Sequence, residues 1–551
     1  MSRRPIEGKG KVNGTTNGNE ELTPLLTGTT DPRKLHSNAE EDQGIPPALR
    51  SSDPSEVKSG GKYVGAKAWA TRGLARTFSM DQLDIYGLPS LAILMSYFSV
   101  GVALELLSTP VAYYLIDDLG ASSSVYTVWN ILVTLPWSFK VGYGFLSDCL
   151  PIGGLKRKPY MLMGWIIHIL MNSILALMGS PGVEWTIILS FISACGYLLS
   201  DVMTDAIVVE RTQKESMKKM GNIQASGYIA RYLGSALGAI GGAVLYNKDT
   251  WGWGLTISDL FWINGLVPLF LVLPLMPFLV EECKIDRDAL RKHVDEIWTL
   301  VQKKAVWKPM TFVYMYNVLM IPNGAWTNYL VETLDFSDFY IGVVNIASQI
   351  AAWAGLIVYK YFLADYSWPM LYAITTVIIF VTSIMQLLLI LGISSSWGIP
   401  NLLFATGDEG ASNLILALQF LPLTRMYAVM CPTGSEGTSY ALLTTMSNVA
   451  YSVAYSIGDL LTELGGNWDV SNDTLASGNM SGMWRLTVLT SCIAVFPIVF
   501  VGLLPKNKAE QLEMQKSSDS SALGGKIFVI VAAGSILFSI LQAAYELIFD
   551  V

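Results

Sequence analysis

Glu105, Lys140, Asp201, Asp205, Arg231 and Arg425 all lie inside stretches that are otherwise apolar. In a bilayer such charges are costly, on the order of 3 kcal/mol each near the centre, so each is kept for pairing or for handling an ion or polar solute. Asp201 and Asp205 are four residues apart and share one helical face. Counted from the ends of their runs, Lys140, Asp201 and Arg231 fall in the cytosolic half and can pair across a bundle. A salt-bridge set that only holds helices together is the alternative to a solute pathway. Asp205 and Glu210 lie nearer the cytosolic end, where gate contacts are expected. Glu105 lies in the outer half just before Thr109-Pro110, where proline bends the helix and frees backbone carbonyls. A protonatable carboxylate there is suited to coupling a solute to protons. Arg425 occupies a place comparable to Asp201. Gln419 with Tyr316, Asn317, Asn323, Trp326 and Asn328 forms a polar, aromatic inventory suited to a planar heterocycle, interhelical hydrogen bonding being the alternative.

These residues need a membrane bundle to position them. The chain has 551 residues, 52% of them hydrophobic and only 15% charged, too apolar for a soluble protein. The expected class is an all-α membrane protein. Apolar runs at approximately 88–115, 124–146, 159–179, 184–208, 222–246 and 259–280 make a first six-helix half within residues 85–281. Runs at approximately 309–330, 338–362, 369–392, 411–430, 436–461 and 483–504 make a second within 309–505. Between them, residues 282–308 form a charged connector whose Leu290, Val294, Ile297, Leu300 and Val301 fall at helical spacing, as in an amphipathic helix on the cytosolic membrane surface. After a polar linker at 506–525, residues 526–548 are long and apolar enough for a thirteenth span, a helix packed against the bundle being the alternative. Residues 1–84 are polar and aperiodic, read as a disordered cytosolic tail with neither a signal-peptide core nor the acid-poor composition of a transit peptide. Within the tail, Glu21 with Leu25 and Leu26 resembles an acidic dileucine sorting signal.

With the amino terminus inside, the basic residues gather in the cytosolic loops. The same topology places the sequons at Asn472 and Asn479 outside, available for glycosylation.

Gly144 and Asp148, followed by Lys156, Arg157 and Lys158, join the second and third runs. This spacing resembles the gating loop of the major facilitator superfamily. A weaker copy, Phe362-Leu363-Ala364-Asp365, recurs one half-chain later without the basic trio, which puts its gating role in doubt. The expected fold is accordingly that of the superfamily, two six-helix halves with an extra C-terminal helix. At the turn into the eleventh run, Gly434 and Gly437 allow a tight entry beside Glu436, with Ser435 or Thr433 as candidate helix caps. Trp137-Ser138-Phe139-Lys140, the loop through Lys158-Pro159-Tyr160, Asp201-Val202-Met203-Thr204-Asp205-Ala206 and Gly434-Ser435-Glu436-Gly437-Thr438 together resemble the folate-biopterin transporter family over about 86–504. That resemblance implies alternating access between two rocking halves and carriage of a folate- or pterin-class solute coupled to protons. A folate's dianionic tail and flat pterin would suit a cavity offering Lys140, Arg231 or Arg425 beside Tyr and Trp faces.

The competing readings are a carrier of another organic solute, such as S-adenosylmethionine on Asp201, Asp205 or Glu105, and a non-transporting membrane sensor. An enzyme is not expected, since no nucleophile-base set or phosphate loop appears. The five Cys form no C-x-x-C pair and the three His are widely separated, so neither a metal site nor a cofactor is expected. There is no nucleic-acid footprint; the bilayer and a small-molecule substrate are the expected partners. The membrane is expected to be the plasma membrane or an endomembrane such as the vacuole.

Overall fold

The computed structural model describes residues 85–215, 221–247, 252–281, 289–517 and 519–549. The polar tail with Glu21, Leu25 and Leu26 lies outside the described residues, as does the first part of the connector. Among the described residues the chain is built from helices of membrane-spanning length. We number the spans in chain order: 1 Leu88–Asp118, 3 Lys158–Met178, 4 Val183–Thr212, 5 Asn222–Leu245, 6 Ile257–Phe278, 8 Phe339–Leu363, 9 Trp368–Ile390, 10 Asn401–Met430, 12 Ser481–Leu503 and 13 Ala522–Phe549. Ten helices are thus long and apolar enough to cross a membrane.

The other three spans depart from simple helices for visible reasons. Span 2 is Ser123–Thr134 and Lys140–Cys149 joined by a 3-10 turn over Leu135–Phe139, where Pro136 cannot donate to the helical ladder. Span 7 runs only over Lys304–Leu319; Pro322 follows, and a short helix resumes at Trp326–Asn328. Span 11, Glu436–Thr462, is long enough but rich in hydroxyl residues. Among the described residues the fold is all-α; below, spans 1–6 are called the first half and spans 7–12 the second.

Between spans 1 and 5 the backbones meet directly. A Cβ on Gly101 would stand 1.9 Å from the Arg231 carbonyl oxygen, and one on Gly234 2.1 Å from that of Phe98. Gly234, Gly238 and Gly242 recur every four residues on this face, the small-residue packing expected where lipid removes most of the hydrophobic drive for helix association. Large side chains such as Leu177, Phe270 and Phe362 instead point outward. The connector helix, Ala289–Gln302, buries Leu300 and Val301 while Val294 and Trp298 stay exposed. Span 13 packs beside spans 7 and 11: Phe528 and Ala532 are buried, and the Tyr314 and Ser535 hydroxyls lie 2.8 Å apart.

Candidate functional site

Inside the first half, one carboxylate gathers two cations. Lys140 Nζ donates to Asp201 Oδ2 at 2.7 Å and Arg231 Nη1 to Asp201 Oδ1 at 3.0 Å, with all three side chains buried. Lys140 also stands 3.6 Å from Asp205. Both cations lie over the Trp137 ring, at 4.4 and 5.0 Å from its centroid. Asp205 accepts from Tyr97 at 2.7 Å and Tyr228 at 3.3 Å, and Tyr228 meets Tyr440 of the second half at 3.0 Å. The charges balance, so the cluster is electrostatically self-contained.

Between the halves lies a central cavity of about 310 Å³, bordered by Tyr228 and Tyr232 of span 5 and by spans 7, 10 and 11 of the second half. It adjoins a second cavity of about 270 Å³ on the side away from the loop between spans 2 and 3, called the outer cavity below, with Leu416 and Tyr451 lining both. Of the heterocycle-suited residues, Tyr316, Asn317 and Gln419 line the central cavity, Asn323 and Trp326 the outer one, and Asn328 neither. Lys140, Arg231 and Arg425 line neither. The structure therefore does not bring the three expected cations to the cavity, because each is committed elsewhere. Arg425 packs over the Tyr359 ring at 5.2 Å and reaches Asn222 Oδ1 at 3.4 Å, joining span 10 to the start of span 5.

Among the described residues, Glu105 of span 1 has neutral hydrogen-bond partners, Gln349 Nε2 at 2.9 Å and Asn345 Nδ2 at 3.4 Å, both on span 8. Two carboxylates escaped the sequence reading, Asp408 and Glu409. Asp408 accepts from Gln386 at 2.8 Å, and Glu409 lines the outer cavity. The apolar run itself starts at about 411, just after these charges, whereas the helix starts at Asn401.

The end of the bundle that carries the loop between spans 2 and 3 is closed by contacts between the halves. Arg157 is fully buried and donates to Asp148 Oδ1 and Ser147 Oγ at 2.5 Å each and to Glu210 Oε1 at 3.1 Å, with Glu436 at 3.9 Å. Asp148 in turn accepts from the Thr438 backbone N–H at 2.7 Å and the Thr438 hydroxyl at 2.6 Å. Ser435 was an expected cap of span 11, but its side chain makes no capping bond and turns to His293 and Glu296 of the connector helix. The cap comes instead from Asp148, in the other half. A Cβ on Gly144 would stand 2.6 Å from the Gly437 carbonyl oxygen, so glycine is what permits spans 2 and 11 to come this close. The Arg157 guanidinium and the two Thr438 donors offset the cost of burying the Asp148 carboxylate.

The basic trio does not act as one surface patch. Lys158 is buried and its Nζ bonds the Leu279 carbonyl at the end of span 6, while Lys156 Nζ reaches the Gly434 carbonyl at 3.3 Å. Glu281 accepts from all three backbone N–H groups, Lys156, Arg157 and Lys158, at 2.6 to 2.8 Å, which fixes the loop at the start of span 3. The second motif copy makes no comparable lock: Asp365 is exposed. Asn472 begins a short helix, Asn472–Ala476, and Asn479 lies just beyond it in the loop before span 12. Among the described residues no group of His, Cys, Asp and Glu is arranged to hold a metal ion.

Comparison with known proteins places this arrangement. A folate-biopterin transporter of Synechocystis sp. is 26% identical over 434 residues, covering 78% of this chain and 84% of its own. Folate transporter 1 of Plasmodium falciparum is 23% identical over 74% of this chain and 78% of its own, and folate transporter 2 of the same organism is 24% identical over 74% and 86%. Among solved structures, a bacterial homologue of the iron transporter ferroportin in its outward-facing state matches with a TM-score of 0.49 at 11% identity, covering 77% of this chain and all of its own. The family model described as the BT1 family matches residues 100–523, which is more than half of the chain, and the protein therefore belongs to this family of folate-biopterin transporters.

Proposed function

We propose that the protein is a secondary active transporter of folates or pterins, working by alternating access between the halves 85–281 and 309–505 and coupled to protons. The observation that carries this reading is a stacked pair of cavities above a cytosolic side sealed by a network between the halves, the arrangement of a carrier open outward. The solute class follows from the relatives' names together with the aromatic, amide-bearing lining. Asp148, Arg157, Glu210, Glu436 and Gly144 form the cytosolic gate, Lys156 and Lys158 fix its loop, and Asp365 has at most a lesser part. Lys140, Asp201, Arg231 and Asp205 form the rigid polar core beside the pathway, and Arg425 belongs with the cytosolic contacts. The connector 282–308 and the linker 506–525 tie these units together on the cytosolic face. Asn472 and Asn479 are external glycosylation sites, and the membrane is the plasma membrane or the vacuole.

Glu105 is the proton-coupling group of this proposal, because a half-buried carboxylate inside a membrane span, held by carboxamides rather than by a cation, is suited to taking up and releasing a proton. The test is uptake of radiolabelled folate, biopterin and S-adenosylmethionine into vesicles holding the purified protein, with and without an inward-acid gradient. Folate or pterin accumulation that collapses with the gradient supports the reading; failure of both sinks it. Glu105→Gln should keep solute exchange at zero gradient within about twofold yet lose at least about tenfold of gradient-driven accumulation. Retained accumulation in that variant would remove Glu105 from the coupling path. S-adenosylmethionine is the second reading, favoured by one observation: the charge lining the outer cavity is the carboxylate of Glu409, which suits a sulfonium.

A further inference from the structure

Asn317 is 1% exposed, yet among the described residues neither its carbonyl oxygen nor its amide nitrogen finds a protein hydrogen-bond partner. Its neighbours make bonds of their own: Gln419 Nε2 donates to Tyr316 and Thr375, and the Tyr372 hydroxyl donates to the main-chain carbonyl of Gln419. A buried carboxamide left unpaired costs about 1–3 kcal/mol, so a chain that keeps one on a cavity wall gains when a ligand satisfies it. The carboxamide presents a donor and an acceptor side by side. Its complement is the adjacent N–H and C=O of a lactam, which a pterin ring carries on one edge. The aromatic side chains of Tyr228, Phe420 and Tyr451 on the same cavity offer faces for a flat ring.

Charge then divides the solute class. Among the described lining residues of the two cavities there is no Lys or Arg, and the acid Glu409 stands on the outer one. The cations of the first half are neutralised by Asp201 and Asp205, and Arg425 is held at the cytosolic contacts. A glutamate-conjugated folate would carry two carboxylates past Glu409 into a site without a counter-charge, with the full desolvation penalty. An uncharged pterin meets no such penalty. The central volume is also at the small end of the range for ligand pockets, about 300–1,000 Å³.

We propose that the connected cavities form a recognition site for a flat, uncharged lactam heterocycle, an unconjugated pterin, read by the Asn317 carboxamide, and that Glu409 disfavours anionic conjugates. This rests on the transport reading above and narrows it. The test is equilibrium binding of biopterin, folic acid and S-adenosylmethionine to the full-length protein in lipid nanodiscs at neutral pH. Biopterin should bind at least about tenfold more tightly than folic acid, and Asn317→Ala should weaken biopterin by about tenfold and folic acid, which carries the same lactam edge, in proportion. Glu409→Gln provides an independent measurement should Asn317→Ala fail to fold: it should raise the folate-to-biopterin affinity ratio severalfold. Folic acid binding as tightly as biopterin overturns the selectivity and leaves the transport reading in place. Preference for S-adenosylmethionine, or an unchanged ratio in Glu409→Gln, also overturns it. Binding of neither pterin nor folate overturns both.

Discussion

Arg157→Ala is expected to abolish concentrative uptake, lowering it by about a hundredfold, while the protein still inserts and can be purified. The guanidinium is fully buried and answers Asp148, Glu210 and Glu436 from three helix ends. Removing one partner of a buried pair leaves the other charge uncompensated, at a cost of roughly 3–5 kcal/mol. Here that cost falls on the arrangement in which the cytosolic ends are together, so the population shifts away from it. A free energy of this size moves a two-state equilibrium by about two to four orders of magnitude. The measurement is cysteine labelling from the cytosolic side at a position near Gly434, alongside uptake. Labelling as slow as in the parent protein would mean that Arg157 does not hold the gate. Arg157→Lys should rescue only in part, because an ammonium cannot reproduce the forked contacts to Asp148, Ser147 and Glu210.

Asp201→Ala should produce a different failure, loss of the fold. It strands Lys140 and Arg231 as two buried cations on neighbouring helices, with Asp205 3.6 Å from Lys140 as the remaining carboxylate. The expected destabilisation is again about 3–5 kcal/mol, visible as a lower melting temperature in detergent and poor recovery. Combining Asp201→Ala with Lys140→Met should restore much of that stability, since one positive charge then faces one negative charge. Additive losses in the double variant would show that the residues do not act as one unit.

How far these features could be read from the sequence depends on the distance over which their cause operates. Charges interrupting apolar runs are local, so Lys140, Asp201, Arg231 and Glu105 were visible as candidates. Their partners are tertiary and were not: the commitment of Arg231 to Asp201, and of Glu105 to Asn345 and Gln349, appears only once the helices are placed. Asp408 and Glu409 were missed because charge was used to end a span, and here charge lies inside one. Asn317 was legible as a polar residue in an apolar run, but an unmet hydrogen bond is a property of its surroundings. The break in span 2 had its local signal in Pro136, whereas the close contact of spans 1 and 5 was signalled by the Gly234, Gly238 and Gly242 spacing and not used.

The capping of span 11 by Asp148 joins residues 290 apart in sequence. A helix that borrows its cap from another body must surrender it whenever the two part, leaving the amide of Thr438 to water. The first turn of that helix is then a built-in clock: its amide exchanges with solvent only during the fraction of time that the cytosolic ends are separated. Hydrogen exchange at residues 436–439 should therefore quicken when turnover is driven by solute, and stay slow in the resting protein, with no label attached to the chain.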